Sequence, residues 1–132
     1  MPNASTLQFL LTLAKGIASQ FGPNCEVVVH DLATNDPERS IVAIENGHVT
    51  GRKVGDGPSH VVLEALRGNP EQLHDHLSYL TRTKDGKILK STTIYIRDDD
   101  GAPIGIFGIN YDITKLTLIN SALDDLITPK NK

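Results

Sequence analysis

Apolar residues recur at helical spacing between positions 7 and 21: Leu7, Leu10, Leu11, Ala14, Ile17, Ala18 and Phe21 share one side of a helix. Ser5 and Gln8 stand three apart, as in a capping box, and Gly22-Pro23 predicts the stop. Phe9 and Leu13 add a second strip, which widens the apolar arc to about 200° at 100° per residue. A helix facing only its own core needs about half of that. The pattern therefore predicts either a deeply buried helix or one that also meets a second chain.

The β-branched runs CEVVVHDL (25–32) and RSIVAIEN (39–46) predict two strands, joined by the turn-forming ATNDPE. NGHVTGRKVGDGP has four glycines and no periodicity, which predicts a structured loop. Pro58 suits the first turn of a helix that Val61, Val62, Leu63, Ala65 and Leu66 continue and Gly68-Asn69-Pro70 ends. LSYLTRTK (77–84), KILKSTTIYIR (87–97) and PIGIFGINY (103–111) then read as an antiparallel meander, with turns at Asp85-Gly86 and Asp98-Asp99-Asp100-Gly101. In the last of these, Ile104 and Ile106 fall on one face and Phe107 and Ile109 on the other, so both faces of the sheet require cover.

KLTLINSALDDLI follows Asp112-Ile113-Thr114. Leu116, Ile119, Leu123 and Leu126 have the three-four-three spacing of a coiled-coil seam, but for under two heptads. A helix docked on its own domain and a seam with a second chain both fit. The polar segment from Thr128 to Lys132 closes the chain. The element order gives an α+β fold with one five-stranded antiparallel sheet and flanking helices. Residues 1–23 form an N-terminal amphipathic helix, 24–112 the core, and 113–132 an exit helix and tail.

Composition narrows the function classes. The 132 residues suffice for one core, and 5% aromatics without Trp make it aliphatic. Net charge is −3, so the basic excess that drives phosphate binding is missing and direct nucleic-acid binding by this segment is not expected. A single cysteine, Cys25, excludes an intrachain disulfide and a cysteine-rich zinc site. The N-terminus lacks a basic n-region, and Gln8, Thr12 and Lys15 interrupt its apolar run. That predicts neither signal peptide nor membrane span, and a cytoplasmic location.

No catalytic constellation stands out: G-x-S-x-G, H-E-x-x-H and a phosphate loop are all missing, and GDGP lacks the Lys-Ser/Thr that would follow. His74-Asp75-His76 lacks a complete metal-ligand set, Asp98-Asp99-Asp100 lacks calcium-loop spacing, and no cofactor is identified.

VVVHDL (27–32), NGHVTGRKVGDGPS (46–59), RTKDGKILKSTTIYIRDDDGAPIG (82–105) and INYDIT (109–114), in this order, resemble the YheO-like PAS family. The group includes regulators of the D-arginine utilisation repressor type. GINYDIT is similar to the Asp-x-Thr ending that precedes the signalling helix of PAS domains. The resemblance spans residues 7–118. It implies the PAS fold and the sensory, homodimerising part of a bacterial transcription regulator without its helix-turn-helix domain, whether as a piece of a longer protein or as a stand-alone variant. A ligand-free interaction module is the alternative, and a small enzyme a more distant one.

PAS domains hold ligands between the inner sheet face and the helical middle, and the resemblance directs attention there. Asn110 shares a strand face with Gly108, Ile106 and Ile104, so its amide must find a partner in the protein or in a ligand. Ser91 is the unexpected polar residue of the KSTT run. His30 follows three valines, and the neighbouring Asp31 suits a turn cap. Asn46, His48 and Arg52 lie in the glycine-rich loop, where the Arg52 fork suits a carboxylate. The relatives suggest an amino-acid ligand, and the sequence does not name which.

Overall fold

The computed structural model describes residues 3–33 and 36–130. Thr34 and Asn35 of the ATNDPE connection, and Asn131 and Lys132 of the tail, lie outside the described residues. The elements are α1 (Ala4–Phe21), β1 (Cys25–Asp31), β2 (Ile41–Glu45), α2 (His60–Leu66), β3 (His76–Arg82), β4 (Ile88–Arg97), β5 (Pro103–Asp112) and α3 (Thr114–Ile127). Short 3-10 turns occupy Pro37–Arg39, Gly47–Val49 and Pro70–Gln72. The five strands form one antiparallel sheet in the order β2-β1-β5-β4-β3. The last three strands are the expected meander, and the long step from β2 to β3 carries the helical middle across one face.

Local chemistry sets the element ends, and three differ from expectation. Asn3, not a Ser5–Gln8 box, caps α1: its side-chain oxygen accepts from the Thr6 amide at 2.8 Å, so the helix starts earlier and Ser5 lies inside it. Ser59, not Pro58, begins α2 by accepting from the Val62 amide. β2 starts at Ile41, because Asp36 accepts from the Glu38 amide and winds Pro37–Arg39 into a turn.

α1 covers the outer sheet face. Leu10, Ala14 and Ala18 are buried against Cys25, Val27, Val29 and Phe107, with Ile94, Ile96 and Ile109 at the margin. Fully burying a side chain such as Leu10 contributes about 1.5–3 kcal/mol. Phe9 and Leu13 stay outside this core, at 64% and 39% exposure. On the inner face, Leu73, Tyr95 and Ile106 pack with Val62 and Leu66. α2 itself buries none of its residues and stands over the sheet as a loose cover.

α3 leaves the domain instead of docking on it, for no residue of it is buried. Its start is nevertheless fixed: Asp112 accepts from the Thr114 amide and hydroxyl at 3.0 and 2.6 Å, while Thr114 Oγ1 accepts from the Ile88 amide at 2.9 Å.

The loop between β2 and α2 lies against the rest of the chain. The Ile41 amide donates to the Asp56 carbonyl and the Gly55 amide to the Ile41 carbonyl. A Cβ at Gly57 would stand 2.6 Å from Cα and O of Glu38, whereas one at Gly16 of α1 would meet nothing within 4 Å. Gly57→Ala is therefore expected to destabilise the fold by about 1–3 kcal/mol, because backbone must move. Gly16→Ala should stabilise it by about 0.5–1 kcal/mol through helix propensity. Chemical denaturation of the two variants checks both signs.

Candidate functional site

Strand register lays out the inner face in cross-strand rows. Glu26, Asn110 and Ser91 stand opposite one another, then Val28, Gly108 and Thr93, then His30, Ile106 and Tyr95. The first row is polar, the second small, and the third joins a histidine to apolar side chains. Gly108 keeps the middle low: a Cβ there would lie 2.9 Å from Val28 Cγ1. A cleft of about 1320 Å³ opens over these rows, beneath α2 and beside the segment from His48 to Arg52.

A continuous hydrogen-bond chain crosses the polar row. Asn110 Nδ2 donates to Glu26 Oε1 at 2.8 Å, and Ser91 Oγ donates to Asn110 Oδ1 at 2.7 Å. Ser91 has thereby used its one hydrogen, so Thr81 Oγ1, 2.9 Å away, is the donor to Ser91. On the other side Glu26 Oε2 accepts from Thr50 Oγ1 at 2.6 Å and from the Thr50 amide at 3.1 Å. All these donors point toward the Glu26 carboxylate, which is completely buried. Aligned hydrogen bonds of this kind polarise one another.

The sequence candidates divide. Asn110, His30, His48 and Arg52 line the cleft. Ser91 is buried behind Asn110 and orients its amide. Asn46 lies outside the lining. At φ 56° it turns the chain, and its amide donates to the carbonyls of Cys25 at 2.8 Å and Gly22 at 3.2 Å. Asp31 caps the turn that follows it, accepting from the Ala33 amide. Lys87 braces the cleft wall by donating to the His48 and Val49 carbonyls, both at 3.1 Å.

Sequence reasoning passed over Glu26, Thr50 and Tyr79. Strand parity held the signal for Glu26: two residues from Val28 and four from His30, it shares their face, which the register sets opposite Asn110. Tyr79 could not be found that way. An irregularity in β3, with Ser78 at φ 53°, places its ring flat on His76 at 3.8 Å and lets its hydroxyl reach Thr93 Oγ1 at 2.7 Å.

Electrostatics single out His30. Burial, and secondarily the charge of Arg52, lower its pKa to about 4. Nδ1 lies 2.7 Å from Ser40 Oγ. Burial also raises the pKa of the Tyr95 hydroxyl, helped by Tyr79 and Asp75, and that of the Cys25 thiol, helped by Glu26.

The YheO-like PAS domain family matches residues 1–128, nearly the whole chain. The chain belongs to the YheO-like PAS domain family. One relative, the uncharacterised protein YheO of Escherichia coli (strain K12), is 38% identical over 106 residues, covering 74% of this chain and 40% of YheO. The transcriptional regulator DauR of Pseudomonas aeruginosa is 29% identical over 124 residues, covering 94% of this chain and 55% of DauR. The YheO-like PAS chain thus spans about half the length of these relatives. Among solved structures, the blue-light photoreceptor Aureochrome1 LOV domain in its dark state aligns over 94% of this chain and 96% of its own, at 19% identity and TM-score 0.47. Among the described residues, no helix is long and apolar enough to cross a membrane.

The His30 shift has a stability consequence. The unfolded chain takes up a proton near the ordinary imidazole pKa, whereas the folded chain resists until about pH 4. Stability is therefore lost as pH falls between those values, by about 2 kcal/mol between pH 7 and pH 5 for this one group. His30→Asn should remove that part of the loss. Denaturation of wild type and variant at the two pH values measures the difference.

Proposed function

We propose that this PAS domain is the sensory and dimerising part of a bacterial transcription regulator. Small-molecule occupancy of the inner-face cleft would be passed to α3. The observation that carries the reading is the cleft itself, floored by a polar row whose amide, Asn110, is held in one orientation from both sides. A pre-oriented amide in a concave, partly apolar site suits recognition of a small polar molecule. The regulator relative DauR and the family membership support the same role. Mechanistically, a ligand that favours one arrangement of sheet and α3 shifts the population toward it. Among the described residues, the Ser40 hydroxyl that pairs with His30 does not line the cleft, which favours sensing over catalysis. DNA contact belongs to a part of the regulator outside this acidic segment, and the setting is cytoplasmic.

Dimerisation rests on the apolar strips left open. Leu116, Ile119, Leu123 and Leu126 on α3 are 52–82% exposed, and α1 presents Phe9 and Leu13. A two-fold pair covers such strips on both copies at once. Leu13→Glu combined with Leu123→Glu should convert dimers to monomers in sedimentation velocity. A wild type that stays monomeric at high micromolar concentration overturns this part.

The sensing part is tested by thermal melts against a small-metabolite library, since a ligand bound only by the folded state raises Tm. Asn110→Leu lowers the baseline Tm, because Glu26 Oε1 loses its donor at a cost of about 1–3 kcal/mol. The informative quantity is the ligand shift above each variant's own baseline. Loss of that shift in Asn110→Leu supports the reading, and full retention removes Asn110 from the binding site. A library without any stabilising compound favours a ligand-free interaction module.

A further inference from the structure

The cleft wall contains a cation that the protein leaves unanswered. Arg52 is half-buried and lines the cleft, yet none of the ion pairs among the described residues includes it. Its backbone amide is tied to Thr50 Oγ1, while its guanidinium has no hydrogen-bond partner among those residues. Partly desolvating a guanidinium is costly unless an anion repays it. Glu26, the buried carboxylate of the same sheet face, does not supply that anion: its oxygens are taken by Thr50 and Asn110.

His30 lines the same cleft, and its ring feels the charge of Arg52. Ser40 occupies Nδ1. Nε2 has no partner among the described residues, and no fully buried side-chain polar atom there lacks one, so Nε2 is not sealed off and His30 lines the cleft. In the tautomer where Ser40 donates to Nδ1, the ring hydrogen lies on Nε2. In that tautomer the wall offers a two-pronged cation and a neutral donor. Of the other cations that line the cleft, Arg82 and Lys84 are exposed to solvent, and Lys87 is already engaged by two carbonyls and by Asp85.

We propose that the cleft takes a ligand bearing a single carboxylate, and that Arg52 and His30 form the subsite that holds it. This deepens the sensory reading and rests on it. The guanidinium fork matches the two oxygens of a carboxylate, and His30 Nε2 donates a further hydrogen bond. A single half-buried cation without an ion pair among the described residues suits a monoanion better than a phosphate dianion. The low floor at Gly108 and the Asn110 amide receive the remainder of the molecule.

The test uses the 132-residue chain and thermal melts. The probes are C3–C6 monocarboxylates, with 2-hydroxy and 2-amino acids of both hands among them. Each acid is paired with its primary amide, and sodium phosphate and sodium sulfate are included. At least one acid should raise Tm where its amide does not. Arg52→Gln should weaken that acid at least tenfold in titration, and Arg52→Lys should weaken it less. The Arg52 Nε–Hε signal in 15N-resolved NMR should move with the acid. If an amide stabilises as well as its acid, or Arg52→Gln binds the acid unchanged, the carboxylate subsite falls while a ligand-binding cleft stands. If phosphate or sulfate matches the acids, the subsite reads charge alone and the carboxylate assignment is overturned. If neither acids nor amides move Tm, the carboxylate subsite falls, and the metabolite-library melts decide the sensory reading separately.

Discussion

A carboxylate buried in the middle of a sheet dictates much of this molecule. Glu26 is fully enclosed and has no cationic partner among the described ion pairs, so hydrogen bonds must replace the water it lost. Asn110 supplies one bond from the neighbouring strand and Thr50 supplies two from the loop after β2. Meeting that requirement draws the loop onto the sheet. The same requirement orients the Asn110 amide, since its NH2 must face the carboxylate and its oxygen must then face Ser91. The polarity of the cleft floor follows from the solvation of one side chain.

Much of the architecture was legible because it rests on periodicity. The α1 strip, the alternation in β5 and the Asp-Gly turns each express a local rule, and the strands appear within a few residues of expectation. The departures occur where a single side chain decides. Asn3 and Ser59 begin helices because their oxygens accept from amides three residues on, and several nearby residues were chemically able to do so.

The site was legible only in its parts. Asn110 stood out as a polar residue on an apolar face, but its partner Glu26 lies 84 positions away in the chain, where only the register β1–β5 sets it opposite, and Thr50 joins through Glu26. Asn46 carried the same signal as Arg52, being a polar residue in a glycine-rich loop. The fold gives them opposite tasks: one ties backbone carbonyls and the other faces the cleft. Residue type and loop position are identical arguments for both, so nothing short of the three-dimensional path separates them.

The pinning of α3 has a mechanical meaning. Thr114 is held from β5 through Asp112 and from β4 through the Ile88 amide, so the first turn of the helix moves with those two strands. Beyond that turn no side chain of α3 is buried to resist rotation. A helix of 14 residues is about 21 Å long at 1.5 Å per residue. A change of about 10° in the local twist of the sheet would therefore carry its far end through about 4 Å, close to the separation of neighbouring strands. The domain has the form of a pointer: a short stiff arm, clamped at one end to the strands that floor the cleft, which turns a small angular change into a displacement large enough for another polypeptide to register.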